Sequence, residues 1–336
     1  MATMLKSEVI IDEKRCFGCG YCVQFCPKQC LEQSINKIGY RGYALPELTK
    51  PDQCNACGIC VRMCPHWAIT VNSYSNARAE TETKKKVIGP PRLVQDPPLA
   101  GCAGCQHPTV GRIIAEVVDE LGLGEKTVAL DDIPCSVSSA FGTDFGLMLA
   151  HDENALDLAT IKKRTSPHNI IIAVQGFWGL ADFSFDNNAF INTLIRGDNL
   201  TVILCNTPYF GPADGRPAPV NEPIEGRLVP VTHINTPEGR KIIRGGYPMH
   251  IAELVATFEG VAFSARGTLA SPKYYQQTKQ YVRTALQTQV NEIGLSFVEV
   301  LCTCCDPTYS APAESLKWIK EKMIPKFPLG EFKKGS

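Results

Sequence analysis

The chain has 336 residues, 44% of them apolar, and carries 34 Lys+Arg against 34 Asp+Glu. That balance leaves no basic field to steer nucleic acid, and no run of 18 apolar residues is present to span a membrane. The first seven residues lack a signal-peptide pattern, so the sixteen cysteines point to metal rather than disulfides, in a cytoplasmic protein of about two domains.

Residues 7–11 read as a short strand leading into Cys16, Cys19, Cys22, Cys26 and Pro27. The spacing C-x2-C-x2-C-x3-C-P returns at Cys54, Cys57, Cys60, Cys64 and Pro65. Structural zinc would pair two CxxC units, and disulfides do not demand two identical four-cysteine runs; a [4Fe–4S] cluster on each run explains both. Between the runs, residues 28–34 read as a helical turn and 40–47 as a turn into an edge strand. After the second run, residues 68–71 close a small sheet. This pseudo-twofold unit resembles a bacterial-type two-cluster ferredoxin of α+β architecture, covering residues 1–73. The resemblance implies that each fourth cysteine serves the other cluster: Cys16, Cys19, Cys22 and Cys64 hold one, and Cys54, Cys57, Cys60 and Cys26 the other. Cys30 and Cys205 read as small buried residues.

Residues 74–98, with Lys84-Lys85-Lys86, Gly89-Pro90-Pro91 and Pro97-Pro98, have the composition of a linker. From residue 99 to 336 strands alternate with helices, which predicts an α/β domain with a parallel sheet. Val110, Ile113, Ile114, Val117, Val118 and Leu121 lie at helical spacing before Gly122. Strands are expected at 127–130, 170–174, 200–205, 260–265 and 295–301. Further helices are expected around Phe190, Ile191, Leu194 and Ile195, at 250–258 and at 272–287. Residues 211–249 are rich in Gly and Pro without clear period and read as a long loop.

A second set of cysteines accompanies this alternation: Cys102 and Cys105 before the first long helix, Cys135 followed by Ser136 after a strand, and Cys302, Cys304 and Cys305 after the strand 295–301. Their order, with the tail from Trp318 to Phe332, resembles the thiamine-diphosphate-binding β subunit of 2-oxoacid:ferredoxin oxidoreductases. The ferredoxin unit resembles that family's separate δ subunit, fused in front. The resemblance implies a third, proximal [4Fe–4S] cluster on Cys102, Cys105, Cys135 and one of the three late cysteines, Cys304 by counting from Leu301.

The same resemblance implies thiamine diphosphate and Mg²⁺. In such enzymes a segment from Gly-Asp-Gly to Asn-Asn lets the backbone approach the diphosphate while Asp and Asn ligate the cation. Here the frame is kept, but Gly176-Phe177-Trp178-Gly179 stands at the Gly-Asp-Gly-Asp position. Either a short insertion brings Asp182 to the metal beside Asn206, or the cofactor is lost or bound atypically. Thr207 stands where a second Asn is usual. Gly176, Gly179, Ser136 and His107 are the further cofactor candidates, and His151 lies in a loop facing the cofactor in the family. The implied activity is coenzyme-A-dependent oxidative decarboxylation of a 2-oxoacid, or its reverse, with electrons leaving through three clusters to an external ferredoxin. Its partners would be α-type and γ-type subunits. The alternative is a non-catalytic iron–sulfur subunit that wires a larger complex.

Overall fold

The computed structural model describes residues 6–39, 42–74, 84–91, 103–131, 146–149, 155–176, 189–207, 221–224, 227–236, 239–244, 250–303 and 312–334. At the N-terminus β1 (Lys6–Ile11) leads into the first cysteine loop and α1 (Tyr21–Gln24). The expected helical turn at 28–34 does not form. Gln29 takes a left-handed φ of 49°, which breaks a right-handed turn. The chain then extends as β2 (Leu31–Ile38), pairing antiparallel with β3 (Ala44–Leu48) from Leu31↔Leu48. The second cysteine loop and α2 (Ile59–Arg62) follow, and β4 (Ile69–Tyr74) returns antiparallel to β1.

The stretch read as a linker is in part sheet. β5 (Lys84–Ile88) pairs antiparallel with the other edge of β4, from Val71↔Ile88 to Tyr74↔Lys84. Its Ile88 packs on the apolar cluster that contains Cys16, Cys22 and Cys64. A lysine-rich composition masked a strand whose reward is the open edge of β4.

The α/β body begins with α3 (His107–Glu120) and β6 (Thr127–Asp131). It continues through β7 (Gly146–Leu149), α4 (Ala155–Thr165), β8 (Ile170–Gly176), α5 (Ala189–Arg196) and β9 (Thr201–Asn206). Residues 211–249, expected as loop, contain β10 (Asn221–Ile224), β11 (Arg227–Thr236) and β12 (Gly239–Arg244), a three-stranded antiparallel sheet. Each strand there pairs with its sequence neighbour, so local backbone hydrogen bonding builds a sheet that the Pro-interrupted pattern conceals. Then come α6 (Ile251–Ala256), β13 (Val261–Thr268), α7 (Pro272–Val290), β14 (Leu295–Leu301), α8 (Pro312–Trp318) and β15 (Gly330–Lys333).

The main sheet has the order β15-β13-β14-β9-β8-β6-β7. All its pairings are parallel except that of edge strand β15. Strand side chains alternate between two buried faces. Ile172, Val174, Ile203 and Val300 meet Ile114, Val282 and Leu286 of α3 and α7. Ile171, Ala173, Val202 and Leu204 meet Leu156, Leu194 and Val255 of α4, α5 and α6. Burial on both faces explains the unbroken apolar runs of the central strands. Ile195, expected on the apolar face of α5, is 65% exposed instead; Phe190 and Leu194 make the contact.

α7 lies close on β13 because Gly267 has no side chain. A Cβ there would sit 2.3 Å from Thr278 Oγ1, which is buried and donates to Thr268 O at 2.9 Å. Gly267→Ala is therefore expected to destabilise the fold by about 1–3 kcal/mol through overpacking. Anaerobic denaturant titration would check this, and an unchanged midpoint would contradict the close approach.

Candidate metal centres and cofactor site

The two cysteine loops are brought together by β1 and β4, and their thiols sort crosswise. The Cys16 and Cys22 thiols both feel Cys64 of the opposite run, and Cys22 feels Cys60 as its weakest neighbour, whereas the Cys60 thiol is raised by Cys57, Cys54 and Cys26. Burial pushes the Cys16 thiol up to about 11 and Cys60 to about 12, and neighbouring cysteines add to both rises. Metal loading must therefore displace protons from buried thiols, as thiolate is the ligand form. Backbone amides already point at two of the sulfurs, with Cys30 N donating to Cys26 Sγ and Ala68 N to Cys64 Sγ, both at 3.3 Å. The second set of thiols lines one cavity, walled by Val9, Leu31 and Val71. Cys30, read as a small buried residue, lines the same cavity and is pushed up to about 11 by burial and by Cys26 and Cys54. Gly58, with φ +71°, lets the loop pass under Ile88 of β5, where a Cβ would meet the Ile88 side chain at 2.6 Å. The donor set, its enclosure and its amide contacts fit two [4Fe–4S] clusters.

The ferredoxin-like sheet is fastened to the α/β body by three side chains. Arg112 of α3, 1% exposed, donates to Val61 O at 3.1 Å and Gly89 O at 2.5 Å and lies over the Trp67 ring. Its guanidinium also pairs with Glu116, which Lys279 of α7 holds from the other side. Burial opposes the charge on Glu116, but the two cations outweigh it and keep this carboxyl below its ordinary range. Trp67 Nε1 donates to Pro108 O at 3.2 Å. Tyr21, between Cys19 and Cys22, donates its hydroxyl to Gly104 O at 3.0 Å. That last bond joins the first cluster loop directly to the Cys102–Cys105 loop.

Of the proposed third-cluster ligands, Cys105 is described and buried; Cys102, Cys135 and Cys304 lie outside the described residues, as do Ser136 and Cys305. Cys302 is fully buried in the core facing α3, with its thiol 3.2 Å from Val300 O. The end of β14 meets the CxxC loop through a reciprocal pair: Gln106 N donates to Thr303 O at 3.2 Å, and Thr303 N to Gln106 Oε1 at 3.0 Å. His107, buried, opens α3 just beyond.

The candidate diphosphate edge is the carboxyl end of the parallel sheet, where ligands of such sheets bind. Gly176 ends β8 opposite Cys205, and Asn206 ends β9 opposite Leu301. Cys302 N donates to Asn206 O at 3.0 Å, so Cys302 and Thr303, the two residues after β14, connect this edge to the CxxC loop. Phe177, Trp178, Gly179, Asp182 and His151 lie outside the described residues. Asn206 is 1% exposed, and its Nδ2 donates to Glu299 Oε1 at 2.7 Å. Its Oδ1 is buried with no hydrogen-bond partner among the described residues, as is Oε1 of Gln175 on β8. An enclosed amide oxygen left open at a strand end is a hard donor suited to Mg²⁺.

Behind Asn206 lies a polar network that the sequence reading missed. Glu299 Oε2 accepts from Arg266 Nε at 2.8 Å and from Ala252 N at 3.3 Å. Arg266, 0% exposed, also holds both oxygens of Glu253 and stacks near Phe327 and Phe332. Its burial opposes the charge, and the two carboxylates more than offset that. These residues are drawn from β9, β13, β14, α6 and the C-terminal segment, so no spacing in the chain could reveal them.

Comparisons with known proteins agree with this geometry. Residues 8–65 match the 4Fe-4S dicluster domain family. The ketoisovalerate oxidoreductase subunit VorA of Methanothermobacter thermautotrophicus is 30% identical over 232 residues, which cover 69% of this chain and 47% of that protein. The chain thus spans about half the length of VorA. The 2-oxoglutarate synthase subunit KorB of Archaeoglobus fulgidus is 28% identical over 234 residues, covering 67% of this chain and 76% of that protein. In solved structures, the 2-oxoglutarate:ferredoxin oxidoreductase from Magnetococcus marinus, with 2-oxoglutarate, coenzyme A and succinyl-CoA bound, shares the fold. Its TM-score is 0.52 at 17% identity, covering 74% of this chain and 86% of that one. An N-terminal 4Fe-4S dicluster segment and homology to the VorA and KorB subunits over about two thirds of its length make this chain a relative of the 2-oxoacid:ferredoxin oxidoreductases.

Proposed function

We propose that this chain is the thiamine-diphosphate-binding, electron-relaying subunit of a coenzyme-A-dependent 2-oxoacid oxidoreductase. Within it, residues 1–73 act as the two-cluster relay, residues 99–336 as the cofactor body, and the intervening stretch both joins them and adds β5. When bound, thiamine diphosphate supplies the chemistry of 2-oxoacid decarboxylation. This chain's own residues would hold the diphosphate half: Asn206, with Asp182 from the segment after β8, would ligate Mg²⁺, and Gly176 and Gly179 would give the backbone room. Ser136 and His107 flank the cofactor. Cys102, Cys105, Cys135 and Cys304 hold the proximal cluster beside it. The Tyr21–Gly104 bond supports the Cys16–Cys19–Cys22–Cys64 cluster as the next station, with the Cys54–Cys57–Cys60–Cys26 cluster as the exit toward an external ferredoxin. α-type and γ-type subunits complete the active site.

The observation that carries this reading is Asn206 Oδ1, buried at the carboxyl edge of the sheet with no hydrogen-bond partner among the described residues, and linked to the CxxC loop through Cys302 and Thr303. A subunit that only wires a larger complex has no use for that open donor. Anaerobically purified complex is expected to hold about 12 iron atoms per chain, four for each cluster. It should release thiamine diphosphate into acid extract and reduce a viologen dye only with both a 2-oxoacid and coenzyme A present. Full iron without thiamine would leave the wiring role instead, and iron near eight atoms per chain would remove the proximal cluster.

A further inference from the structure

The amide of Asn206 can serve a cation only in one of its two orientations, and the structure contains the group that selects it. Glu299 is fully buried and, as a carboxylate, can only accept hydrogen bonds. One of its oxygens is taken by two donors that cannot reverse, Arg266 Nε and the Ala252 amide. The other faces Asn206 at 2.7 Å and so demands the Nδ2 end. Oδ1 is thereby turned away from Glu299, buried and without a hydrogen-bond partner among the described residues. The geometry points to Glu299 as a positioning residue that locks Asn206 with its oxygen toward the cation of a bound diphosphate, an inference that rests on the function proposed above.

The arrangement makes a reversal of sign possible without changing shape. In Glu299→Gln the carbonyl oxygen must take over the Arg266 and Ala252 contacts, because both are donors. The new NH₂ then faces Asn206, whose amide has to flip, accept through Oδ1 and present an NH₂ to the metal. An amide nitrogen has no lone pair to offer a cation. Asn206→Asp alone sets two carboxylates against each other. Glu299→Gln with Asn206→Asp restores a donor facing an acceptor and leaves a carboxylate oxygen for the metal. The two hydrogen bonds from Arg266 to Glu253 involve neither substituted residue and are expected to persist in all three variants.

The test uses the full chain with its clusters oxidised, Mn²⁺ as a paramagnetic stand-in for Mg²⁺, and thiamine diphosphate, with bound Mn²⁺ read by electron paramagnetic resonance. Glu299→Gln is expected to weaken Mn²⁺ binding by about 10–100-fold, the usual cost of losing the partner that orients a metal ligand. The double variant is expected to return to within a few-fold of the parent chain. Thermal melting and the cluster spectrum identify a variant that has merely unfolded, and rescue by the double variant cannot come from unfolding. Normal binding in Glu299→Gln, or a folded double variant that stays as weak as the single ones, overturns the positioning role. Asn206→Ala separates the levels. If it binds Mn²⁺ as the parent does, or if the parent binds none, the ligand assignment falls and this inference falls with it. If Asn206→Ala loses binding while Glu299→Gln keeps it, only this inference falls.

Discussion

Replacing Cys64 with alanine is expected to damage the cluster anchored by Cys16, Cys19 and Cys22, not the one anchored by the rest of its own run. The reason is geometric. Cys64 is buried beside the first-run thiols and raises both Cys16 and Cys22, where it is the largest cysteine contribution, while Cys60 four residues earlier is raised by Cys57, Cys54 and Cys26 and touches Cys22 only as that thiol's weakest neighbour. The short α2 between Cys57 and Cys64 turns the chain so that the fourth thiol leaves on the opposite side. Paired variants decide the matter. Cys16→Ala with Cys64→Ala removes two ligands from a single site, so that cluster fails to assemble and iron falls from about 12 to about 8 atoms per chain, with the other cluster's reduced signal unchanged. Cys60→Ala with Cys64→Ala removes one ligand from each site and perturbs both signals. The opposite pattern, with Cys60 and Cys64 behaving as one site, would show that each run serves its own cluster.

Arg112→Ala is expected to loosen the ferredoxin-like sheet from the α/β body and to lower the reduction potential of the cluster beside Cys64. Arg112 is almost fully buried, and its removal strips hydrogen bonds from Val61 O and Gly89 O and a cation from Glu116. Breaking a buried, hydrogen-bonded charge pair typically costs about 3–5 kcal/mol. Lys279 at 2.6 Å continues to neutralise Glu116, which puts the loss toward the lower end. Arg112→Lys will not rescue, since one ammonium cannot reach both carbonyls and Glu116 while stacking over Trp67. Faster hydrogen exchange in α2 and β5, and earlier proteolysis between 74 and 98, would report the loosening. The electronic effect is separate. Burial raises the Cys64 thiol, and the Arg112 charge is among the contacts that pull it back down. A site that favours negative charge on sulfur also favours the added electron, so losing the cation lowers the potential by about 59 mV for each 1.4 kcal/mol of lost interaction. A potential unchanged in Arg112→Ala, with the sheets still docked, would remove Arg112 from the tuning of this cluster.

The sequence by itself determined the parts of this protein whose chemistry is written locally. Ligands three residues apart on a tight loop have a meaning independent of the rest of the fold, so the two ferredoxin runs were legible at once. Strands buried on both faces and helices with one apolar stripe were legible for the same reason: β8, β9, β14 and α3 each carry their period within a few residues. What failed was decided by pairing. Residues 31–38 became strand because β3 was there to bond with, β5 formed on the open edge of β4 despite three lysines, and β10, β11 and β12 found each other within a stretch without period. The Gly176–Asn206 frame could be counted along the chain, but whether Asn206 offers oxygen or nitrogen could not. That choice belongs to Glu299, 93 residues away, and to Arg266 and Ala252 behind it. Local spacing selects which atoms are available; in a buried site only the donors and acceptors that the fold carries in from elsewhere decide which way they point.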